Sequence, residues 1–193
     1  GVYSESIFSQ LSDISENVLA VKLDGATKED YVWGFRVGFI TYNIKSGNEL
    51  MYKALEDKTA GAIRGNVSNA PQISQSLILQ SIKDANYALE KQEKYNKLQK
   101  RYEKVRQILN EKKEYRKYFK PLPYNSGYFM CIKMKFDAEK IRQVLLKDYD
   151  TGIIVFGDII RIAYSATPYG KLEKLFENIY NVCRKIEMIN EES

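Results

Sequence analysis

The sequence predicts a mixed α/β chain that closes in an α+β unit. Three observations predict it. Short apolar runs bounded by turn residues occur in the first and last thirds of the chain. A long stretch with apolar residues at spacings of three and four separates them. Beyond that stretch the pattern reads strand, helix, strand, strand, helix. The expected division is therefore residues 1–86 and residues 87–193, the second part opened by the long helix.

The elements follow in order. A short helix is expected from Ser4 to about Asp13, with Ile7, Phe8 and Leu11 on one face. Val18 to Leu23 (VLAVKL) is an apolar run flanked by polar residues and reads as a buried strand, punctuated by Asp24 and Gly25. Phe35 to Tyr42 (FRVGFITY) is a second strand, and Glu49 to Ile63 a helix weakened near Gly61. Asn69-Ala70-Pro71 is a helix-start signal, because asparagine caps and proline is tolerated in the first turn. The helix that follows is expected to break near Asp84 and to run to about Phe119, where Pro121 and Pro123 end it.

The last third differs in pattern. Gly127 to Phe136 (GYFMCIKMKF) reads as a strand, and Asp137 as the cap of a helix from Ala138 to about Leu146. Gly152 to Phe156 and Ile159 to Tyr164 are strands around a tight turn at Gly157-Asp158. Thr167 and Pro168 open a last helix with Leu172, Leu175, Phe176, Ile179 and Val182 inward.

Composition bounds the chemistry. With 193 residues, 44% hydrophobic and 28% charged, the chain has room for a real core. It contains no histidine, which removes the commonest general base and every Ser-His or Cys-His pair. An enzyme of this composition works through lysine, arginine, tyrosine, carboxylates or a cofactor, and no metal site is expected. Cys131 and Cys183 do not suggest a disulfide framework, the start GVYSESIF lacks a signal-peptide pattern, and no apolar run reaches membrane length. A cytoplasmic protein that does not engage a membrane is expected.

The net charge of +5 is concentrated. Asn86 to Lys120 holds twelve Lys/Arg and five Asp/Glu, a local +7, which leaves the remainder at −2. Such a stretch suits either nucleic acid or a solvated helix face. Tyr95, Leu98, Tyr102, Val105 and Leu109 form an apolar stripe along the same stretch and favour the solvated face, so no nucleic-acid partner is expected.

The most informative segment is Leu23 to Phe39 (LDGATKEDYVWGFRVGF). Lys28 falls in a turn after a strand, and Arg36 falls eight residues later at the start of the next, with Gly34 and Gly38 beside it. A lysine amine can form a Schiff base with an aldehyde, and a guanidinium can hold a phosphate. On spacing alone, a surface lysine and an arginine near a strand remain the other reading.

These residues carry a resemblance. Gly25, Ala26, Thr27, Lys28, Arg36, Val37 and Gly38 resemble the cofactor-lysine motif of pyridoxal-phosphate-dependent aminotransferases of fold type I, class I/II. Tyr31 is bulkier than the family's usual residue, and Gly25 stands where many members carry a phosphate-binding serine. Arg64 to Pro71 (RGNVSNAP) is similar to a family segment whose arginine, in members using dicarboxylates, reaches a neighbouring subunit's substrate; Arg64 and Ser68 match it. Capping of the preceding helix by Arg64 is the alternative. Asp158 to Pro168 (DIIRIAYSATP) is similar to the strand whose arginine grips the substrate α-carboxylate, and Arg161 is the match. An edge-strand arginine in water is the alternative there. Asn125 to Met130 (NSGYFM) resembles the Gly-aromatic strand that opens the small domain.

The resemblance spans Ser4 to about Arg184. It implies the C-terminal half of a fold type I transferase: residues 1–86 as a remnant of the large cofactor-binding domain and 87–193 as the small domain. The family's phosphate loop, ring-stacking aromatic and pyridine-pairing aspartate lie upstream of the lysine, so a fragment with little activity of its own is expected. The resemblance further implies pyridoxal 5′-phosphate as cofactor, a Schiff base at Lys28, phosphate binding by Arg36, amino-acid and 2-oxo-acid substrates held by Arg161, Arg64 and Ser68, and a homodimer. Lys28 would move protons near neutral pH only where burial and nearby cations lower its pKa. A lyase or decarboxylase of the same fold, the aminotransferase-like half of a transcription regulator, and a nucleic-acid-binding module built on Lys91 to Lys117 are the other readings.

Overall fold

The computed structural model describes residues 5–191. They form two compact units, one through Lys94 and one from Tyr95 onward, so the division falls inside the long helix.

The first unit opens with the short helix α1 (Phe8–Ser12). Ile7 lies before it and is exposed, whereas Phe8 and Leu11, expected on the same face, are half-buried, and Ser4 lies outside the described residues. Strand β1 (Leu19–Gly25) follows, then the single turn α2 (Ala26–Glu29), then β2 (Gly38–Ile44). The two strands pair antiparallel from Leu19 opposite Ile44 to Gly25 opposite Gly38. The second strand begins three residues later than the pattern suggested, so Phe35, Arg36 and Val37 belong to the connection. The first strand is not the buried one expected: Ala20 is 2% exposed, but Leu23 is 76% exposed. Two strands joined only to each other leave both faces thinly covered.

Helix α3 (Glu49–Asn66) is capped by Asn48, whose side chain accepts from the Met51 N–H. It runs through Gly61 without a break and buries none of its residues. Helix α4 (Gln72–Lys83) starts two residues later than a cap at Asn69 implied. Pro71 occupies its cap position and no side chain caps it. Asp84 ends α4, where the break was expected, and α5 (Tyr87–Glu111) follows. The apolar kernel of this unit is small: Ala26, Val37 and Ile78, with Val32 and Phe35 against them.

The second unit begins in α5. That helix ends at Glu111, earlier than expected, and passes into a 3₁₀ turn at Lys113–Lys117. Phe119 opens a strand the pattern had hidden, β3 (Phe119–Pro121). It pairs with β4 (Met130–Met134). Helix α6 (Ala138–Tyr149) comes next, then β5 (Ile154–Phe156), β6 (Ile159–Ile162) and α7 (Leu172–Glu191). The sheet order is β3-β4-β6-β5, and every pair is antiparallel.

Local chemistry explains these ends. The Asp137 carboxylate accepts from the N–H groups of Glu139 and Lys140, as the sequence predicted for a cap. Gly157 turns β5 into β6 with φ of 58°, a conformation that costs glycine nothing. Along the strands burial alternates. Phe119, Met130, Ile132, Met134, Ile160 and Ile162 join one core with Tyr102, Val105, Ile108 and Leu109 of α5, Ile141 and Leu145 of α6, and Leu172, Phe176, Ile179 and Val182 of α7. The lower half of the stripe read along α5 is thus core, whereas Tyr95 is exposed. The opposite sheet face carries Lys120, Cys131, Lys133 and Arg161, which register and alternation place on one side.

Candidate active site

Lys28 stands in α2, directly after β1, within the connection from residue 26 to residue 37. The paired glycines Gly25 and Gly38 close the mouth of this connection. Just inside them the Ala26 N–H donates to the Val37 carbonyl at 3.1 Å. Lys28 and Arg36 are therefore carried on one closed excursion of the chain. Ala26, Val37 and Ile78 of α4 form the apolar seat beneath it.

The connection is conformationally costly. Tyr31 has φ of 58°, Gly34 of 95° and Arg36 of 55°. Left-handed backbone costs a non-glycine residue roughly 1–2 kcal/mol, and such residues gather where geometry serves a function. Tyr31, the residue bulkier than the family's usual one, is among them. Lys28 and Arg36 are both exposed, so the burial expected around Lys28 is absent.

A second layer pins this excursion, and residue spacing did not reveal it. Asp30 closes α2, its N–H donating to the Ala26 carbonyl at 2.9 Å. Its carboxylate, 9% exposed, accepts from the Tyr87 hydroxyl at the start of α5. The Lys91 ammonium lies 3.5 Å from the same carboxylate and donates to the Tyr87 oxygen at 3.1 Å. Burial pulls the Lys91 pKa down, but Tyr87 and the Asp30 charge outweigh it, and the net shift is upward.

Arg64 and Ser68 also meet. Arg64 is in the last turn of α3, and its Nη1 donates to the Ser68 hydroxyl at 2.7 Å. Ser68 holds this place with φ of 69°, and both residues are exposed.

Arg161 lies on β6 in the second unit, with Cys131 of β4 as its cross-strand partner. It is half-buried, not an edge arginine in water, because β5 covers the far side of its strand. Its guanidinium stands over the rings of Phe129 at 4.8 Å and Phe156 at 5.8 Å. Nε is buried without a hydrogen-bond partner. A buried N–H with no acceptor is costly, and a carboxylate is the acceptor that a guanidinium fork fits. The two phenylalanines were missed as site residues. In the sequence Phe129 reads only as part of a Gly-aromatic strand, and Phe156 carries no signal beyond its place before the turn.

The sequence matches the family described as aminotransferase class I and II over residues 1–179. The chain belongs to that family. No curated protein matches it by sequence. Solved structures similar to it include an aminotransferase from Anaerococcus prevotii (21% identity, 91% of this chain and 42% of that one, TM-score 0.71). A tyrosine aminotransferase from Leishmania infantum is 16% identical over 95% of this chain and 46% of its own, with a TM-score of 0.67. The α-aminoadipate aminotransferase of Thermus thermophilus, solved with N-(5′-phosphopyridoxyl)-L-leucine, is 14% identical over 81% and 40%, with a TM-score of 0.58. At these identities the similarity is one of fold: a fold type I aminotransferase, of which this chain spans less than half the length. Among the described residues, no helix of this family member is long and apolar enough to cross a membrane.

Proposed function

We propose that this chain supplies the lysine-bearing and carboxylate-binding part of a pyridoxal-phosphate-dependent aminotransferase. The observation that carries the reading is the family match over residues 1–179, which embraces Lys28, Arg36, Arg64, Ser68 and Arg161. The residues fit the cofactor's chemistry: an amine and a guanidinium share the closed 26–37 connection, and Arg161 has an unsatisfied buried donor.

When bound, pyridoxal phosphate supplies an aldehyde for an amine and a ring that takes up the electron pair left at the substrate α-carbon. Lys28 would hold it through Nζ and carry the proton at the substrate α-carbon. Arg36 would hold the phosphate. Arg161 would orient the α-carboxylate through its planar fork, with Phe129 and Phe156 keeping the guanidinium in place. Arg64, steadied by Ser68, would face the distal carboxylate of a dicarboxylic partner across a homodimer. The chain spans less than half the length of the aminotransferases it resembles, so on this reading it would not by itself sustain turnover at an ordinary enzymatic rate.

Borohydride reduction of the chain with added pyridoxal phosphate, followed by peptide mapping, tests this. The expected result is a saturable label on Lys28 that appears before any other lysine and is lost in Lys28→Ala. Label distributed evenly over the lysines would reject the assignment of Lys28. Full-rate transamination of glutamate with 2-oxo acids by the purified chain would reject the need for further groups.

A further inference from the structure

The second unit carries a groove between the 3₁₀ turn at 113–117 and the β3–β4 edge, enclosing about 430 Å³. Arg116, Lys117, Lys120, Lys133 and Lys135 all line it. Lys120 and Lys133 are direct cross-strand partners. They face away from the core, because the adjoining pair Phe119 and Met134 is buried. Like charges set opposite each other destabilise an antiparallel pair, so the arrangement calls for a counter-charge.

The protein supplies only part of one. Glu187 of α7 takes Lys117 at 2.6 Å and Lys135 at 3.4 Å, and Asp158 takes Lys133 at 3.2 Å. Arg116 and Lys120 have no ion-pair partner among the described residues. Of the five cations around this concave space, three are paired with two carboxylates and two are left without one. From this we infer that the groove binds the phosphate chain of a compact polyanion, a di- or triphosphate. Ammonium groups and one guanidinium suit phosphate oxygens. The aromatic residues of the lining, Tyr118 and Phe119, are buried and present no ring face on which a nucleobase could stack. The phosphates are therefore what is recognised, whether inorganic or borne by a nucleotide. This inference is independent of the aminotransferase reading, since the groove uses none of its residues.

The experiment is a titration of the chain with inorganic triphosphate, followed calorimetrically. Saturable binding at a single site is expected, weakening steeply as salt rises from about 50 to about 200 mM. Lys120→Gln and Lys133→Gln, both at solvated positions, should each weaken binding roughly tenfold, the loss of one charge-assisted contact. Lys174→Gln on α7, which loses the same charge from a pair with Glu177, should leave it unchanged. Adenosine triphosphate should compete and adenosine should not. Absence of saturable binding would overturn the proposal, as would equal weakening by Lys174→Gln, competition by adenosine, or displacement by duplex DNA at lower phosphate concentration. Self-association of Lys120→Gln with no triphosphate binding by the parent chain would also overturn it, and would make the lysines a guard on the edge strand.

Discussion

The Tyr87 hydroxyl donates to the Asp30 carboxylate, tying the first turn of α5 to the helical turn that presents Lys28. Tyr87→Phe removes one donor from a nearly buried carboxylate. The expected cost is about 1–3 kcal/mol, read from chemical denaturation. Amide hydrogen exchange should accelerate across residues 26–37 and stay unchanged in β4 and β6. The Lys91 pKa is raised above 10.5, so its contribution is complete below pH 10.5 and declines as pH rises through the folded value. Asp30→Asn should weaken that alkaline dependence, leaving the part that Tyr87 supplies.

Arg161 is held between two rings as well as by its strand. Arg161→Lys keeps the charge but loses the planar fork and the stacking. In an assembled, active enzyme it should raise KM for the amino acid more than it lowers kcat. Phe129→Leu removes one cation–π contact worth about 0.5–2 kcal/mol, so a milder rise in KM is expected. Equal KM in Phe129→Leu and the parent would show that the rings do not position the guanidinium.

Glu187 gathers three donors at one carboxylate in the second unit. Its carboxylate accepts from Lys117, from the Tyr118 hydroxyl at 2.7 Å and from Lys135, and these donors outweigh burial to hold its pKa at about 2. A carboxyl whose folded pKa is depressed stabilises fully above its unfolded value, here about 4.5, and loses that contribution as pH falls toward 2. Glu187→Gln should flatten the fall in melting temperature between about pH 4.5 and about pH 2. A parallel fall in both proteins would assign the acid transition elsewhere, with Glu139, also held at about 2 by Arg142, as the next group to test.

Much of the second unit was legible along the chain. Asp137 before an amphipathic segment, Gly157 between two β-branched runs, and Leu172, Phe176, Ile179 and Val182 at helical spacing are local signals, and the structure uses each as read. The first unit was less legible. VLAVKL had the composition of a buried strand, but a hairpin of two strands leaves Val21 and Leu23 exposed. Phe119 looked like the end of a helix because β3 owes its existence to pairing with β4, not to its own three residues.

What the sequence by itself determined is the family, the spacing of Lys28 and Arg36, and the place of Arg161 within an otherwise apolar strand. Covalent spacing and periodicity settle these before any long-range contact forms. Only the tertiary structure decided that Arg36 adopts left-handed backbone, that Phe129 and Phe156 bracket Arg161, and that Asp30 finds a donor 57 residues away in Tyr87. Such pairings arise when packed elements bring distant side chains within hydrogen-bond reach, and no short-range pattern encodes which two will meet.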